Sequence, residues 1–378
     1  MTQLTDTLSS LIATNSVNPV WGGPGEAAVA AFIETALHDA GIEFATDEVL
    51  PGRHNVIARI PGKTSDRAIA IEAHMDTVSV GGMTIPPFDP VVKDGRIFGR
   101  GSCDTKAGLA AMLEAVIRLK RESLVPPCDV YFLAVVDEEH AFSVALRSIE
   151  WLQEKRVPLE AVVVSEPTGL ELVTANKGVL RFRIETRGKA AHSSKPHLGV
   201  NAISRIADVI KTVEAFHAGL SSKIHPLLGA ATGCISLIEG GDQINFVPER
   251  CVLSIDHRLL PGETGEGIMK AYRDLFAEDS ESVIIHDPDL VDEAMETDPG
   301  TAIVGVAATV LSRMGLSGEP VGVPFGCDVT KFSRAGIDGI IFGPGSIDQA
   351  HGAVEYVDLE EVEKAFDFYT RFLMNYES

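Results

Sequence analysis

Residues 68–78 read AIAIEAHMDTV, a largely apolar run that closes on a histidine and an aspartate two positions apart. Such a short apolar stretch, bounded by polar residues, predicts a buried strand carrying His74 and Asp76 at its carboxyl end. Its neighbours repeat the plan. NVIARIPG (55–62), DVYFLAVVDEE (129–139) and AVVVSEPTG (161–169) are strand-like, and AGLAAMLEAVIRLKRE (107–122) has helical spacing. Val-rich strands alternating with helices predict an α/β fold, a sheet flanked by helices.

Working outward, the N-terminal stretch places Leu4, Leu8, Leu11 and Ile12 at helical spacing. A Gly/Pro stretch, VNPVWGGPGE (17–26), precedes a second helix that Gly41 stops. Near residue 178 the texture changes. VLRFRIETRG, GCISLIEGG and RCVLSIDHRL alternate apolar and polar residues, as strands buried on one face do. With helical GVNAISRIADVIKTVEAF and GEGIMKAYRDLFAE and a last strand, SVIIHD, the order is β-α-β-β-α-β, a ferredoxin-like α+β pattern. After about Asp292 long helices and buried strands return. The organisation predicted is one domain of residues 1–177 plus 291–378, interrupted by an inserted domain of residues 178–290.

The composition narrows the function. At 378 residues, 45% hydrophobic and 23% charged, the chain has the makeup of a soluble globular protein of two or three domains. Fifty-four acidic against 32 basic residues leave a net charge of −22, which repels phosphate backbones and anionic lipid surfaces. Neither nucleic acid nor membrane is an expected partner. Five scattered cysteines without a CxxC pair fit a reducing compartment, and the N-terminus lacks the basic start and apolar core of a signal peptide. A cytoplasmic location is expected.

The chemistry-bearing residues collect at strand ends: His74 and Asp76 on the first, Asp137, Glu138 and Glu139 on the second, Glu166 on the third, and His351 after IDGIIFGPG (337–345). Asp104 sits in the Gly-rich loop GRGSCDTKAG just before a helix. Ligands in open α/β sheets bind beyond the carboxyl ends of the strands. Imidazole plus carboxylate suits Zn²⁺, with Co²⁺ or Mn²⁺ as alternatives, and two such ions can share a bridging carboxylate. The two-residue spacing lets Asp76 hold the second nitrogen of His74. Of two adjacent glutamates, one can ligate metal while the other serves as general base. An HxD alone is more often surface decoration, and a DEE run more often a solvated turn; four such clusters in one chain are not.

These residues lie within EAHMDTV, FGRGSCDTKAGLAAML, VVDEEH, SEPTGLELVTANKG, AAHSSKPHLGVNAI, DHRLLPGE and FGPGSIDQAH. As an ordered set, from about residue 50 onward, they resemble the acetylornithine deacetylase/succinyl-diaminopimelate desuccinylase family of two-metal amidohydrolases. The resemblance implies a zinc-peptidase-like catalytic domain, with a mixed sheet flanked by helices, and a lid or dimerisation role for the insert. It implies two divalent metals, most often zinc: one held by His74, Asp104 and Glu166, the other by Asp104, Glu139 and His351. Glu138 would be general base and acid, and Asp76 would orient His74. His192, in AAHSSKP, matches the lid histidine that in dimeric relatives stabilises the oxyanion in the partner's site. Asn245 and Arg258 match substrate-contacting positions, Arg258 meeting a carboxylate, a role suited to a bidentate guanidinium. The plainer reading of Arg258 is a salt bridge on a sheet face. Gly326 would let backbone approach the substrate.

The resemblance also narrows the substrate. A glutamate at position 166 resembles the deacylases and carboxypeptidases, whereas tripeptide aminopeptidases have aspartate. The desuccinylase-type arginine pair is missing, since Asn176, Lys177 and Gly178 stand there, so the motifs look closest to acetylornithine deacetylase. The expected activity is hydrolysis of an N-acyl amino acid by metal-activated water, in a homodimer joined through the insert. A dipeptidase or carboxypeptidase with the same site is the alternative, and a non-catalytic metal-binding homologue a remote one. Cys103 and Cys327 read as small packed residues, because neither has a base partner. No P-loop, HExxH or GxSxG elbow is present.

Overall fold

The computed structural model describes residues 2–141 and 144–377. Helix α1 (Gln3–Ala13) starts at Thr2, whose hydroxyl accepts the Thr5 N–H, and buries Leu4, Leu8, Leu11 and Ile12. Helix α2 (Ala27–Asp39) ends just before Gly41, which takes φ 66°. Next come β1 (Glu43–Leu50), β2 (Arg53–Ile60), β3 (Thr64–His74), a small ribbon of β4 (Val91–Lys93) and β5 (Arg96–Phe98), and α3 (Lys106–Arg121). β6 (Cys128–Val135), α4 (Val144–Glu154), β7 (Leu159–Val164) and β8 (Leu172–Asn176) follow. β9 (Gly178–Arg187), α5 (Ala202–Gly219), β10 (Thr232–Gly240), β11 (Arg250–Leu259), α6 (Gly265–Leu275), β12 (Val283–Ile285) and β13 (Leu290–Asp292) form the middle section. The chain ends with α7 (Ala302–Arg313), α8 (Val329–Arg334), β14 (Asp338–Ile341), β15 (Tyr356–Asp358) and α9 (Leu359–Asn375).

These elements divide into two units. The first comprises Met1–Thr174, Thr297–Val321 and Cys327–Ser378; the second comprises Ala175–Glu296 and Gly322–Gly326. The first is built on a mixed sheet in the order β1-β2-β6-β3-β7-β14-β8, whose central strands β6, β3, β7 and β14 are parallel. Parallel strands need cover on both faces, and the burial pattern shows it. Ile69, Ile71, Ala73, Phe132, Ala134, Ala161 and Val163 join one core with α1, α2, α3, α7 and α9. Alternate residues such as Ala70, Leu133 and Val162 are equally buried but outside that core. They face the side where α4 and α8 touch the strands. Helix α3 packs so tightly that a Cβ on Gly108 would lie 1.7 Å from Ser165 Oγ.

The second unit has an antiparallel sheet in the order β10-β11-β9-β12, with β13 also paired to β9. One face packs on α5 and α6 through Leu180, Phe182, Ile184, Ile206, Leu253, Ile255 and Tyr272. The other carries charged pairs, Arg181 with Asp256 and Arg183 with Asp289. The alternating sequences of these strands are what such one-sided burial requires. Among the described residues no helix is long and apolar enough to cross a membrane.

Candidate metal centre

The central strands align their ends by register. Glu72 pairs with Val164 across β3 and β7, so His74 and Glu166, each two residues further on, emerge side by side. On the other side His74 pairs with Val135, two residues before Asp137. The loop entering α3 brings Asp104, and the segment after β14 brings His351. The result is two groups of donor atoms, each within 4.8 Å of one another: His74, Asp104 and Glu166, and Asp104, Glu139 and His351. Asp104 belongs to both. Its Oδ1 lies 3.2 Å from His74 Nε2 and its Oδ2 3.2 Å from His351 Nε2, while Glu139 Oε2 is 3.2 Å from His351 Nε2.

The tautomer of His74 follows from its other contact. Nδ1 lies 3.1 Å from the backbone carbonyl of Asp76, which can only accept, so Nδ1 carries the hydrogen and Nε2 faces Asp104. The Asp76 carboxylate stands further off, 3.5 Å from Nδ1. Its oxygens take the N–H groups of Glu138 and Glu139, both at 3.2 Å, at the start of a single helical turn, Glu138–Ala141. Asp76 thus orients the imidazole mainly through its backbone and holds the two-glutamate turn with its side chain. Asp137 enters that turn with φ 63°, and His351 has φ 59°; both are unusual for side-chain-bearing residues.

Sequence reasoning missed the support behind Asp76. Asn18, fully buried, donates from its Nδ2 to Asp76 Oδ2 at 2.8 Å and to Asp137 Oδ1 at 2.9 Å. The segment around it runs beside Thr77 through a parallel bridge from Val17. Arg53 pairs with both Glu26 and Asp137, and Glu26 accepts the Asp137 N–H at 3.0 Å. Lys106, fully buried, donates to the carbonyls of Leu11 and Thr14, and burial lowers it to about 7. A polar Asn between Val17 and Pro19 was the available signal for this support.

The electrostatics are those of an anion surplus. Burial, then the neighbouring Glu166, pushes Glu138 well above the usual carboxylate range; burial and Asp104 do the same to Glu166. Burial and Asp104 raise Glu139 to about 7. Burial would raise Asp104 too, but its contacts with His351 and His74 outweigh that and hold it low. Burial opposes charge on His74, yet Asp104, Asp76 and the nearby glutamates leave it raised; Asp104 and Glu139 lift His351 to about 10. Four buried or half-buried carboxylates crowd two imidazoles, and the donor set fits one or two divalent cations. Cys103 and Cys327 are buried thiols pushed upward by burial, and Cys103 Sγ donates to the Ser346 carbonyl.

The remaining candidates lie in the second unit. His192 is exposed, pairs across a two-residue ladder with Phe246, and is accompanied by a Ser193 N–H to Asn245 O bond of 2.9 Å. The segments of His192 and Asn245 are therefore neighbours. Arg258, on β11, is ion-paired with Asp256 at 2.7 Å, so the sheet-face salt bridge is present. A Cβ on Gly326 would come 3.2 Å from Asp292 Oδ2 and 3.3 Å from Val179 Cγ2, a tight fit to which those two side chains would have to yield.

Known proteins are similar to this chain in sequence and fold. The chain is 29% identical over 388 residues to an acetylornithine deacetylase of Vibrio campbellii, covering 97% of this chain and 96% of that protein. Its fold matches an M20 family metallo-carboxypeptidase from Sulfolobus solfataricus with a TM-score of 0.81 at 20% identity, over 100% and 99% of the two chains. A Bacillus subtilis M20 peptidase described as dinuclear and metal-binding matches with a TM-score of 0.71 at 18% identity, over 98% and 97%. Residues 70–375 match peptidase family M20/M25/M40, a span that takes in both donor groups and the paired glutamates. On that match the chain belongs to peptidase family M20/M25/M40 and is a hydrolase of carbon–nitrogen amide bonds.

Proposed function

We propose that this hydrolase removes the acyl group from an N-acyl amino acid, in the manner of acetylornithine deacetylase, with two divalent ions, zinc first among them. The observation that carries this reading is Glu138, a buried carboxyl on a turn held by Asp76, next to two donor groups that share Asp104. His74, Asp104 and Glu166 would hold one ion, and Asp104, Glu139 and His351 the other. When bound, the ions supply Lewis acidity and lower the pKa of water. Glu138 would take the proton of the attacking water and return it to the leaving amine. Asp76 keeps the Glu138 turn and the His74 ring in place. His192 would donate to the developing oxyanion and Arg258 would read the substrate carboxylate, with Asn245 and the Gly326 backbone contributing to binding.

The named relative supports the deacylase reading, and the similarity to a metallo-carboxypeptidase favours the alternative, cleavage of a small peptide by the same residues. The five cysteines are free, in keeping with a cytoplasmic location. A homodimer through the second unit is supported by β10, paired on one side to β11, with Leu237 62% and Ile238 55% exposed.

The deciding assay measures release of α-amine by zinc-loaded protein from N-acetyl-ornithine, other N-acetyl amino acids, N-succinyl-diaminopimelate and plain dipeptides. Glu138→Gln is expected to lower turnover by about 10³-fold while metal content stays at the wild-type level. Appreciable activity in Glu138→Gln would sink the role given to Glu138, and release from dipeptides alone would move the enzyme to the peptidases.

A further inference from the structure

Beyond the residues that would touch metal or substrate, one buried ion pair is aimed at the backbone of the shared ligand. Glu355 is fully buried, and its Oε1 accepts the N–H groups of Cys103 at 2.9 Å and Asp104 at 3.1 Å. Its Oε2 accepts from Arg100 Nη1 at 2.5 Å. Arg100 is itself 2% exposed; its Nη2 donates to the Ser79 carbonyl at 2.9 Å, and its Nε has no hydrogen-bond partner among the described residues. A buried pair with an unsatisfied donor is an expensive way to close a loop, since desolvation offsets most of the attraction. Backbone pairing already joins these segments: β15 runs beside β5, and the Gly99 N–H reaches the Glu355 carbonyl at 3.1 Å. The side chain of Glu355 extends that connection past the end of the ladder to the two peptides that carry Asp104. It does so only four residues after His351.

We infer that Glu355, held by Arg100, is a positioning residue that sets the Asp104 carboxylate and the His351 segment relative to each other. It touches neither substrate nor donor atoms and acts through the Cys103 and Asp104 peptides. The inference rests on the metal reading proposed above. It assigns to one carboxylate the spacing of the two groups, because the shared oxygen-bearing residue and one imidazole hang from the segments it joins. A carboxylate that accepts two successive N–H groups fixes the two peptide planes relative to each other, which neither bond would do separately.

The test titrates metal-stripped wild-type, Glu355→Gln, Glu355→Asp and Arg100→Lys proteins with Co²⁺, followed by visible absorption and metal content, with thermal unfolding alongside. Glu355→Gln puts a neutral amide against the two N–H groups; Glu355→Asp keeps the charge but withdraws it by one methylene. The expected result is Co²⁺ binding weakened by about 10- to 100-fold with altered absorption bands. In the same variants kcat falls while KM stays within about twofold. Arg100→Lys, which keeps a cation beside Glu355, should fall between wild type and Glu355→Gln, and it decides the question if the glutamate variants do not fold. Wild-type stoichiometry, affinity and spectrum in the folded variants, with only a lowered Tm, would reduce the pair to a structural role and overturn the inference. Failure of the wild type to bind Co²⁺ would overturn the metal reading, and this inference with it.

Discussion

His74, Asp104 and Glu166 are all buried, whereas the group that shares Asp104 with them contains a His351 side chain that is 51% exposed. In the first group His74 and Glu166 follow adjacent parallel strands in fixed register, the loop before α3 adds Asp104, and His74 is further held by the Asp76 carbonyl. The second depends on Glu139, in a short turn capped by Asp76, and on a loop residue with φ 59°. The difference teaches that, around a shared loop carboxylate, one set of donors is completed by the sheet and the other by loops. A site assembled by the sheet is preorganised before any ion arrives; a site closed by loops pays for ordering when the ion binds.

The sharpest way to break this comparison is to remove one imidazole from each group. His74→Ala is expected to lose both ions and activity by more than about 10³-fold, because a buried ligand and its link to Asp104 vanish together. His351→Ala should keep about one ion per chain and lose activity by roughly 10- to 100-fold. Elemental analysis of the two variants reads the outcome directly, and equal metal loss in both would erase the distinction.

A subtler variant attacks the support shared by both groups. Asn18→Ala takes one buried amide donor from both the Asp76 and the Asp137 carboxylate, at a cost of about 1–3 kcal/mol. Because Asp76 holds the two-glutamate turn, kcat should fall about tenfold with KM nearly unchanged. A lower Tm without any change in kcat would show that Asn18 serves folding alone.

The smallest effect is in pH. Glu139 rises from 4.5 to about 7 and His351 from 6.5 to about 10, so in both cases the folded chain holds a proton that the unfolded chain releases. Their contribution to stability is complete below the unfolded values. It drains away as pH rises, from 4.5 to about 7 for Glu139 and from 6.5 to about 10 for His351. An ion that binds there displaces those protons. The gain in Tm on adding Zn²⁺ to metal-stripped protein should therefore be larger near pH 8.5 than near pH 5.5. Equal gains would mean that the open group's protons are not what the ion replaces.

Much of this centre was legible because its signals are local. His74 and Asp76 share a strand end, Asp104 precedes a helix in a Gly-rich loop, and the two glutamates follow a largely apolar strand. The elements around them were legible for the same reason, since the period of burial is written into consecutive residues. The place of Asp76 beside His74 follows from the two-residue spacing, but the detail of the contact does not: its carbonyl, not its carboxylate, is nearer the ring. No periodicity announces a backbone contact of that kind.

The sequence by itself determined the α/β class, the alternating one-sided strands of the middle section and the residue types offered at each strand end. Spacing along a strand or helix dictates which side chains share a face, and that needs no knowledge of the rest of the chain. Tertiary structure alone decided which nitrogen of His74 faces Asp104, and that Asn18 and Glu355 stand behind the donor groups. These contacts join residues 30 positions apart for His74 and Asp104, 58 for Asn18 and Asp76, and 251 for Glu355 and Asp104. Across such separations a partner is chosen by the register of the strands and the closure of the loops, and neither is written in any short stretch of residues.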